Sequence, residues 1–278
     1  MLPCSRTLAW GLSCLLSIAQ AALPVQGSLP SEAINQYIAE FNSAGWEPRS
    51  RAFYELLKLG SGDRSYVARP VQDIMERASP AEADRLKLAL IKLLEKENEV
   101  VEGYKRTGGH FGEDYSNYYG DVIAAVTNLK DPRSMNAMLG ALDTGGMAIR
   151  TLASFAPASL NPLLERLRDE DTTTRMFALD AICEMLEPVN YDRVKARRPE
   201  IKQAFLRAVR DPDPNVRSVG ARGLGLLGDP DAIPVLKELA ERDPAYLAGE
   251  ADGGKDLYIV RPEAKKALSE ILAKQKAR

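Results

Sequence analysis

Residues 213–236 read DPNVRSVGARGLGLLGDPDAIPVL, and this stretch decides the fold of the chain. It begins with Asp213 and contains a second Asp-Pro pair at Asp229. An aspartate can accept bonds from the first amides of a helix, and a following proline suits the first helical position. Gly228 stands between the two pairs, where a left-handed turn would end one helix and begin the next. The stretch therefore predicts one helix after Asp213 and a second after Asp229.

The same pattern recurs elsewhere in the chain. When Arg217 is superposed on Arg175 and Arg261, small residues align three and six positions later, and an apolar residue aligns seven positions later. The aligned sets are Gly220, Ala178 and Ala264, then Gly223, Ala181 and Ala267, then Leu224, Ile182 and Leu268. The sequence Leu-Lys-Asp-Pro at residues 129–132 also aligns with Leu-Gly-Asp-Pro at residues 227–230. The arginines lie 42 and 44 residues apart, a period typical of two helices with their connections.

The other segments also carry helical periodicity. Apolar residues cluster at positions 52–59 and again at 86–94, the second after the helix-starting pair Ser79-Pro80. The helix after Pro230 has one wide apolar face, and a helix of this kind needs a neighbouring pair to cover it. Stacked pairs form a continuous core without a single globular centre. We therefore predict an all-α chain of stacked helix pairs over residues 31–278.

The repeat resembles the HEAT repeat, and more closely the HEAT-like repeat first associated with phycobilisome lyases. Residues 213–236 nearly spell out its consensus, D-x-x-V-R-x-x-A-x-x-A-L-G-x-L-G-D-P-x-A-I-P-x-L. The resemblance is clearest within residues 116–278. It implies a right-handed α-solenoid whose concave face is lined by the second helix of each pair.

The resemblance also implies a structural role for the repeated arginines. It places Arg175, Arg217 and Arg261 near the start of second helices, close to turn aspartates of adjacent repeats. These aspartates would be Asp169, Asp171, Asp211 and Asp213. Because the arginines follow the repeat period and do not converge on one cleft, we interpret them as a structural ladder and not as catalytic groups.

The first 21 residues predict a secretory signal peptide. A basic residue precedes an apolar run at residues 8–18, and the small residues Ala19 and Ala21 follow at positions that a signal peptidase requires. A bilayer-spanning helix needs about 20 apolar residues, so this run is short for a membrane anchor. We therefore expect an exported protein, periplasmic or extracellular, with residues 22–30 as a linker and no transmembrane anchor in the mature chain.

Composition restricts the chemistry that the chain can perform. His110 is the only histidine, and Cys183 is the only thiol outside the predicted signal peptide. The 37 basic and 39 acidic residues give a net charge of −2, which provides no basic field for nucleic acid. Nucleophile-elbow and phosphate-loop motifs are absent from the sequence, as is a His/Cys ligand set. We predict no catalytic residue, no cofactor, no metal site and no nucleic-acid partner, and we interpret Cys183 as a small buried hydrophobe.

Solenoids bind through surfaces, so segments that interrupt the repeat are candidates for function. Residues 103–120 read GYKRTGGHFGEDYSNYYG, and we predict a loop that binds a partner protein through its rings. The candidate anchors are Tyr104, His110, Phe111, Tyr115, Tyr118 and Tyr119. The alternative is that these rings pack back on helix ends and close the loop. Residues 244–257 form a second, acidic interruption whose spacing favours a solvated loop over a helix–loop–helix calcium site.

These observations predict a function in recognition. We expect an exported, non-catalytic HEAT-like scaffold that mediates protein–protein interaction, with a partner that the sequence does not identify. The alternative is a small-molecule binding protein for a tetrapyrrole-like ligand, or a lyase-related enzyme, which the repeat type suggests. An enclosed pocket would favour this alternative.

Overall fold

The computed structural model describes residues 31–60, 67–247 and 257–276. The predicted signal peptide at residues 1–21 and the predicted linker at residues 22–30 lie outside the described residues. Residues 248–256 of the predicted acidic loop also lie outside them.

Helices make up most of the described chain. They are α1 (Ser31–Glu40), α2 (Trp46–Leu57), α3 (Ala68–Arg77), α4 (Pro80–Thr107), α5 (Glu113–Leu129), α6 (Met135–Gly140), α7 (Gly146–Ser154), α8 (Leu160–Arg166), α9 (Thr172–Met185), α10 (Pro188–Val194), α11 (Arg198–Ala208), α12 (Pro214–Leu227), α13 (Ile233–Arg242) and α14 (Val260–Lys276). Short 3-10 turns occupy Pro132–Ser134, Leu142–Thr144, Lys195–Arg197 and Pro230–Ala232. Strands β1 (Tyr246–Leu247) and β2 (Leu257–Tyr258) pair antiparallel before α14.

The helices stack in two layers. In one layer α2, α3, α5, α7, α9, α12 and α14 follow one another, each packed against the next. In the other layer α4, α6, α8, α11 and α13 each pack against the helix that follows in the first layer. One apolar cluster runs through the stack from Ile34 to Ile271. The chain is an all-α solenoid of stacked helix pairs, as its sequence predicts.

The helix boundaries follow from the residues that the repeat provides. The Asp213 carboxylate accepts bonds from the amides of Asn215 at 2.8 Å and Val216 at 3.4 Å, and so begins α12. Gly228 ends α12 with a left-handed φ of 65°, and Lys130 ends α5 in the same conformation with a φ of 50°. The alignment of residues 129–132 with residues 227–230 is therefore confirmed.

The glycines of α12 allow close approach of its neighbours. A Cβ atom built on Gly223 would lie 2.2 Å from the ring of Phe205 in α11. A Cβ on Gly225 would lie 2.8 Å from Ala267 in α14. Each glycine costs about 1 kcal/mol of helix propensity relative to alanine. The close packing of α12 between α11 and α14 requires glycine at these positions in spite of the cost in helix propensity.

Replacement of Gly223 by alanine tests this packing. We expect Gly223→Ala to lower the free energy of unfolding by about 1–3 kcal/mol, because the overpacking against Phe205 exceeds the gain in helix propensity. Urea unfolding followed by circular dichroism measures the change. Adding Phe205→Leu to Gly223→Ala should recover part of the loss. A Gly223→Ala protein as stable as the parent would contradict the packing argument.

Candidate functional site

The segment at residues 103–120 is mostly helical. Helix α4 ends at Thr107, α5 begins at Glu113, and only residues 108–112 connect them. Gly108 closes α4 with a φ of 66°, a left-handed conformation that glycine tolerates. The buried residues of α5 recur every three or four positions, which is the spacing of a helix. The glycines and aromatic residues of the segment led to the prediction of a loop in spite of this spacing. The prediction of a continuous loop is therefore wrong.

Three of the six predicted anchors are core residues. The relative exposures of Tyr115, Tyr118 and Tyr119 are 2%, 0% and 4%. Tyr119 Oη donates to Asn98 Oδ1 at 2.6 Å. A partner cannot reach these rings while α5 is packed against α4, so their assignment as surface anchors is corrected. Tyrosine can be buried in this way because its ring packs with apolar groups while its hydroxyl finds an internal acceptor.

The other two buried tyrosines bind one carboxylate, Glu97 of α4. Tyr115 Oη donates to Glu97 Oε2 at 3.0 Å, and Tyr118 Oη donates to Oε1 at 2.9 Å. Burial and the charge of Glu97 raise the pKa of Tyr115 and of Tyr118, so both hydroxyls retain the protons that they donate.

Glu97 is also paired with the buried Arg49 of α2. The distances are 2.5 Å from Nε to Oε1 and 2.9 Å from Nη2 to Oε2. Nη1 of Arg49 donates to the carbonyl oxygens of Ser43 and Ala44 at 2.9 and 2.7 Å. Burial disfavours the guanidinium charge, but the contacts with Glu97 outweigh burial and raise the pKa of Arg49. The resulting network joins α2, α4 and α5.

The contacts of Arg49 recur at an arginine that the sequence aligns. Arg175 donates through Nε and Nη2 to Asp211 at 3.0 and 2.9 Å, and through Nη1 to the carbonyls of Asp169 and Glu170 at 3.0 Å each. We call this arrangement the arginine fork. It consists of one guanidinium, two carbonyls five and six residues before it, and a carboxylate from a later element.

Arg217 forms a third arginine fork. Its Nε and Nη2 donate to Asp243 at 2.8 and 3.1 Å, and its Nη1 donates to the carbonyls of Asp211 and Pro212 at 2.9 and 2.8 Å. Arg261 departs from the pattern. Its Nε donates to the Asp243 carbonyl at 2.8 Å, and its guanidinium lies 3.7 Å from the centre of the Tyr258 ring.

Two of the predicted ladder aspartates have a different role. Asp171 accepts a bond from the Thr174 amide at 2.7 Å and begins α9, as Asp213 begins α12. Their assignment as ladder partners is corrected, because a carboxylate at a helix start is held by the amides of its own first turn. The carboxylates in the forks of Arg175 and Arg217 are those of Asp211 and Asp243.

Arg49 is the fork residue that sequence reasoning missed. A signal was present, because Ala52 and Leu56 follow Arg49 by three and seven positions, as the small and apolar residues follow Arg217. Its acceptor is a glutamate 48 residues later, and no turn motif marks that residue.

The surface beside the fork network is an open groove of about 690 Å³. Tyr104, His110 and Phe111 line it, together with one side of Tyr119. The structure therefore brings three of the six predicted residues, Tyr104, His110 and Phe111, to one surface feature, and the buried Tyr119 forms part of its wall. The groove is also lined by residues that the sequence did not single out, among them Val101, Ile123, Gly120, Thr144 and Met147.

The groove rings are continuous with the buried tyrosines. Phe111 and Tyr104 meet edge to face with ring centres 5.6 Å apart, and Phe111 lies 5.2 Å from the buried Tyr115. Phe111 and Tyr104 are half-buried, whereas His110 is exposed. The rings at the surface therefore rest on the network of Arg49 and Glu97.

An ion pair between Lys105 and Asp143 lies at the boundary of the groove. Burial lowers the pKa of Lys105, but its bonds to Asp143 and Glu102 outweigh burial and raise it. Asp143 Oδ1 is buried and has no hydrogen-bond partner within the described part of the chain. The same two residues line an adjoining depression of about 840 Å³, between the ends of α4, α6 and α8 and the start of α9.

The described residues contain neither a metal-binding cluster nor an accessible thiol. They contain no group of three or more His, Cys, Asp or Glu side chains placed to hold a metal ion. Cys183 is buried, and burial raises the pKa of its thiol to about 12. None of the helices within the described ranges combines the length and apolar character that crossing a bilayer requires.

Comparison with known proteins finds a similarity over part of the chain. A family model for HEAT repeats matches residues 160–251. No curated protein matches the sequence.

Several engineered proteins are among the solved structures to which this chain is similar. A designed armadillo repeat protein is 15% identical, with a TM-score of 0.44 and coverage of 86% of this chain and 99% of that one. Another, solved in complex with the peptide (KR)4, is 16% identical, with a TM-score of 0.45 and the same coverages. A further engineered protein is 14% identical, with a TM-score of 0.45 and coverage of 86% and 96%.

Removal of the Arg49 charge tests the buried network. We expect Arg49→Met to lower the free energy of unfolding by about 3–5 kcal/mol, because Glu97 would remain buried without its cation. The double variant Arg49→Met/Glu97→Met should be more stable than Arg49→Met alone, since no buried charge is left unpaired. Urea unfolding measures both. A loss below about 1 kcal/mol in Arg49→Met would show that the pair is not a buried unit.

Proposed function

We propose that this chain is an exported, non-catalytic scaffold of HEAT-like repeats that binds a partner protein through the groove beside residues 108–112. The observation that carries the proposal is the placement of half-buried rings over a fixed support. Phe111 and Tyr104 line an accessible groove of about 690 Å³ and contact the buried Tyr115. Aromatic anchors of this kind supply large contact area at a small loss of conformational entropy.

The arrangement of the charged groups supports a non-catalytic role. Asp211 and Asp243 are held in arginine forks, Asp171 and Asp213 begin helices, and Glu97 is buried under tyrosines. These carboxylates are engaged in structure.

Export and the type of repeat rest on sequence. The apolar run at residues 8–18, followed by Ala19 and Ala21, supports a secretory signal. The consensus at residues 213–236 supports repeats of the type first associated with phycobilisome lyases.

A second candidate function is the binding of a small, tetrapyrrole-like molecule. The groove volume lies within the range of about 300–1,000 Å³ that small-molecule sites occupy, and its lining is largely apolar, but the groove is open and not the enclosed pocket that this candidate predicts. This candidate predicts thermal stabilisation by a free ligand, equivalent to about 2.7 kcal/mol at 100 times its dissociation constant. A metabolite screen that includes tetrapyrroles and gives no shift would count against it.

Affinity capture tests the scaffold function. The protein serves as bait in a native cell-envelope extract of its source organism, with mass spectrometry as the readout. We expect a stoichiometric partner whose recovery falls at least about tenfold in the variant Tyr104→Ala/Phe111→Ala, because two anchors at the centre of the interface are lost.

The matched control is Tyr246→Ala, which removes an exposed ring of β1 that is remote from the groove lining. Recovery with this control should equal that of the parent. If the Tyr104→Ala/Phe111→Ala variant recovers as much partner as the parent, the groove is not the binding site. Failure to capture any partner with a folded bait would contradict the scaffold function.

A further inference from the structure

Gly120 lies inside helix α5 and lines the groove. A Cβ atom built at this position would meet nothing within 4 Å. Glycine inside a helix is unfavourable relative to alanine, because it has more conformational freedom to lose on folding. No neighbouring element accounts for a glycine here.

The glycines of α12 show the opposite situation. At Gly223 and Gly225 a Cβ atom would collide with an adjacent helix, so packing explains the absence of a side chain. At Gly120 the space is open, and it is the space of the groove. The missing side chain leaves room for a group from outside the chain to lie against the backbone of α5.

The Lys105–Asp143 pair belongs to two surface features. The adjoining depression of about 840 Å³ shares both residues with the groove. Together the two features are larger than the usual size of a small-molecule site. An extended polypeptide segment matches the combined size of the two features better than a compact ligand.

The two parts of this surface differ in charge. The part around Gly120 and Phe111 is mainly apolar, whereas the adjoining depression has five carboxylates and three basic side chains. The carboxylates are those of Glu99, Glu102, Asp143, Asp169 and Asp171. Glu102 and Asp143 pair with Lys105, and Asp169 pairs with Arg166, so the depression has an excess of two negative charges. Complementarity therefore favours positive charge beside an apolar group.

We infer that the groove receives one large apolar side chain of a partner polypeptide, packed over Gly120, while basic residues of the same segment lie over the adjoining acidic depression. This inference rests on the proposed scaffold function and specifies the chemistry of the partner. Gly120 determines specificity, because any side chain at this position occupies the space of the anchor.

Selection from a displayed library of random 12-residue peptides tests the inference. The bait is the full chain, and the enriched consensus is then synthesised with a fluorescent label for titration. We expect the enriched peptides to share one Phe, Tyr, Trp or Leu with Lys or Arg close to it. No enrichment, or a consensus without excess positive charge, would overturn the inference.

Two leucine substitutions separate the groove from the helix around it. Gly120→Leu fills the groove and should weaken binding of the consensus peptide at least tenfold. Gly103→Leu is the matched control, because Gly103 lies in α4, also has open space around its Cβ position, and does not line the groove. We expect Gly103→Leu to bind within twofold of the parent, and both variants to unfold at urea concentrations no lower than the parent. Equal binding by Gly120→Leu would overturn the inference.

A charge variant tests the acidic part. Glu99→Lys reverses an exposed carboxylate of the depression and should weaken the consensus peptide about threefold or more, with a smaller effect at high salt. An unchanged affinity would overturn the assignment of basic residues.

Phe111→Ala distinguishes failure of the inference from failure of the proposed function. Peptides that need Phe111 but are indifferent to Gly120→Leu and Glu99→Lys would leave the groove as the binding site and overturn the inference alone. Peptides that bind independently of Phe111 would contradict both the inference and the proposed function.

Discussion

The arginine fork is the interaction on which the stacking of this solenoid depends. At Arg49, Arg175 and Arg217 one guanidinium binds two carbonyls of the turn before its own helix and a carboxylate of a later element. The Arg217 and Asp243 side chains are 13% and 3% exposed, so their charges are largely removed from water. Bonds of this charged, bidentate kind are about twice as strong as neutral ones, and they fix geometry as well as distance. Each fork therefore ties one helix pair to the next.

The first fork also shapes the candidate binding surface. Its carboxylate, Glu97, lies on the long helix α4 and accepts hydrogen bonds from the buried hydroxyls of Tyr115 and Tyr118. The ring of Tyr115, which packs against that of Tyr118, then supports Phe111 and Tyr104 at the surface. Contacts that hold the repeats together are thus continuous with contacts that line the groove. The stability of the first repeats and the shape of the groove have a common origin.

The parts of the fold that the sequence predicted are those with a local physical cause. Asp213 begins a helix and Gly228 ends one because of backbone geometry within a few residues, and the Arg175 and Arg217 positions repeat at a fixed period. Other features depend on partners far along the chain. The acceptor of Arg49 is Glu97, 48 residues away. The same carboxylate accepts the hydrogen bond of the buried Tyr118 hydroxyl. The role that we infer for Gly120 could not be predicted from the sequence, because it depends on the open space beside this residue in the folded chain.

A double-mutant cycle between Arg217 and Asp243 is the most direct test of the fork as the unit that couples repeats. The free energies of unfolding of the parent, Arg217→Ala, Asp243→Ala and the double variant are measured in urea. The account predicts an interaction energy of about 1–3 kcal/mol, because the two side chains are in direct bidentate contact and largely buried. Additivity within about 0.3 kcal/mol would contradict it, since the pair would then contribute nothing beyond its separate side chains.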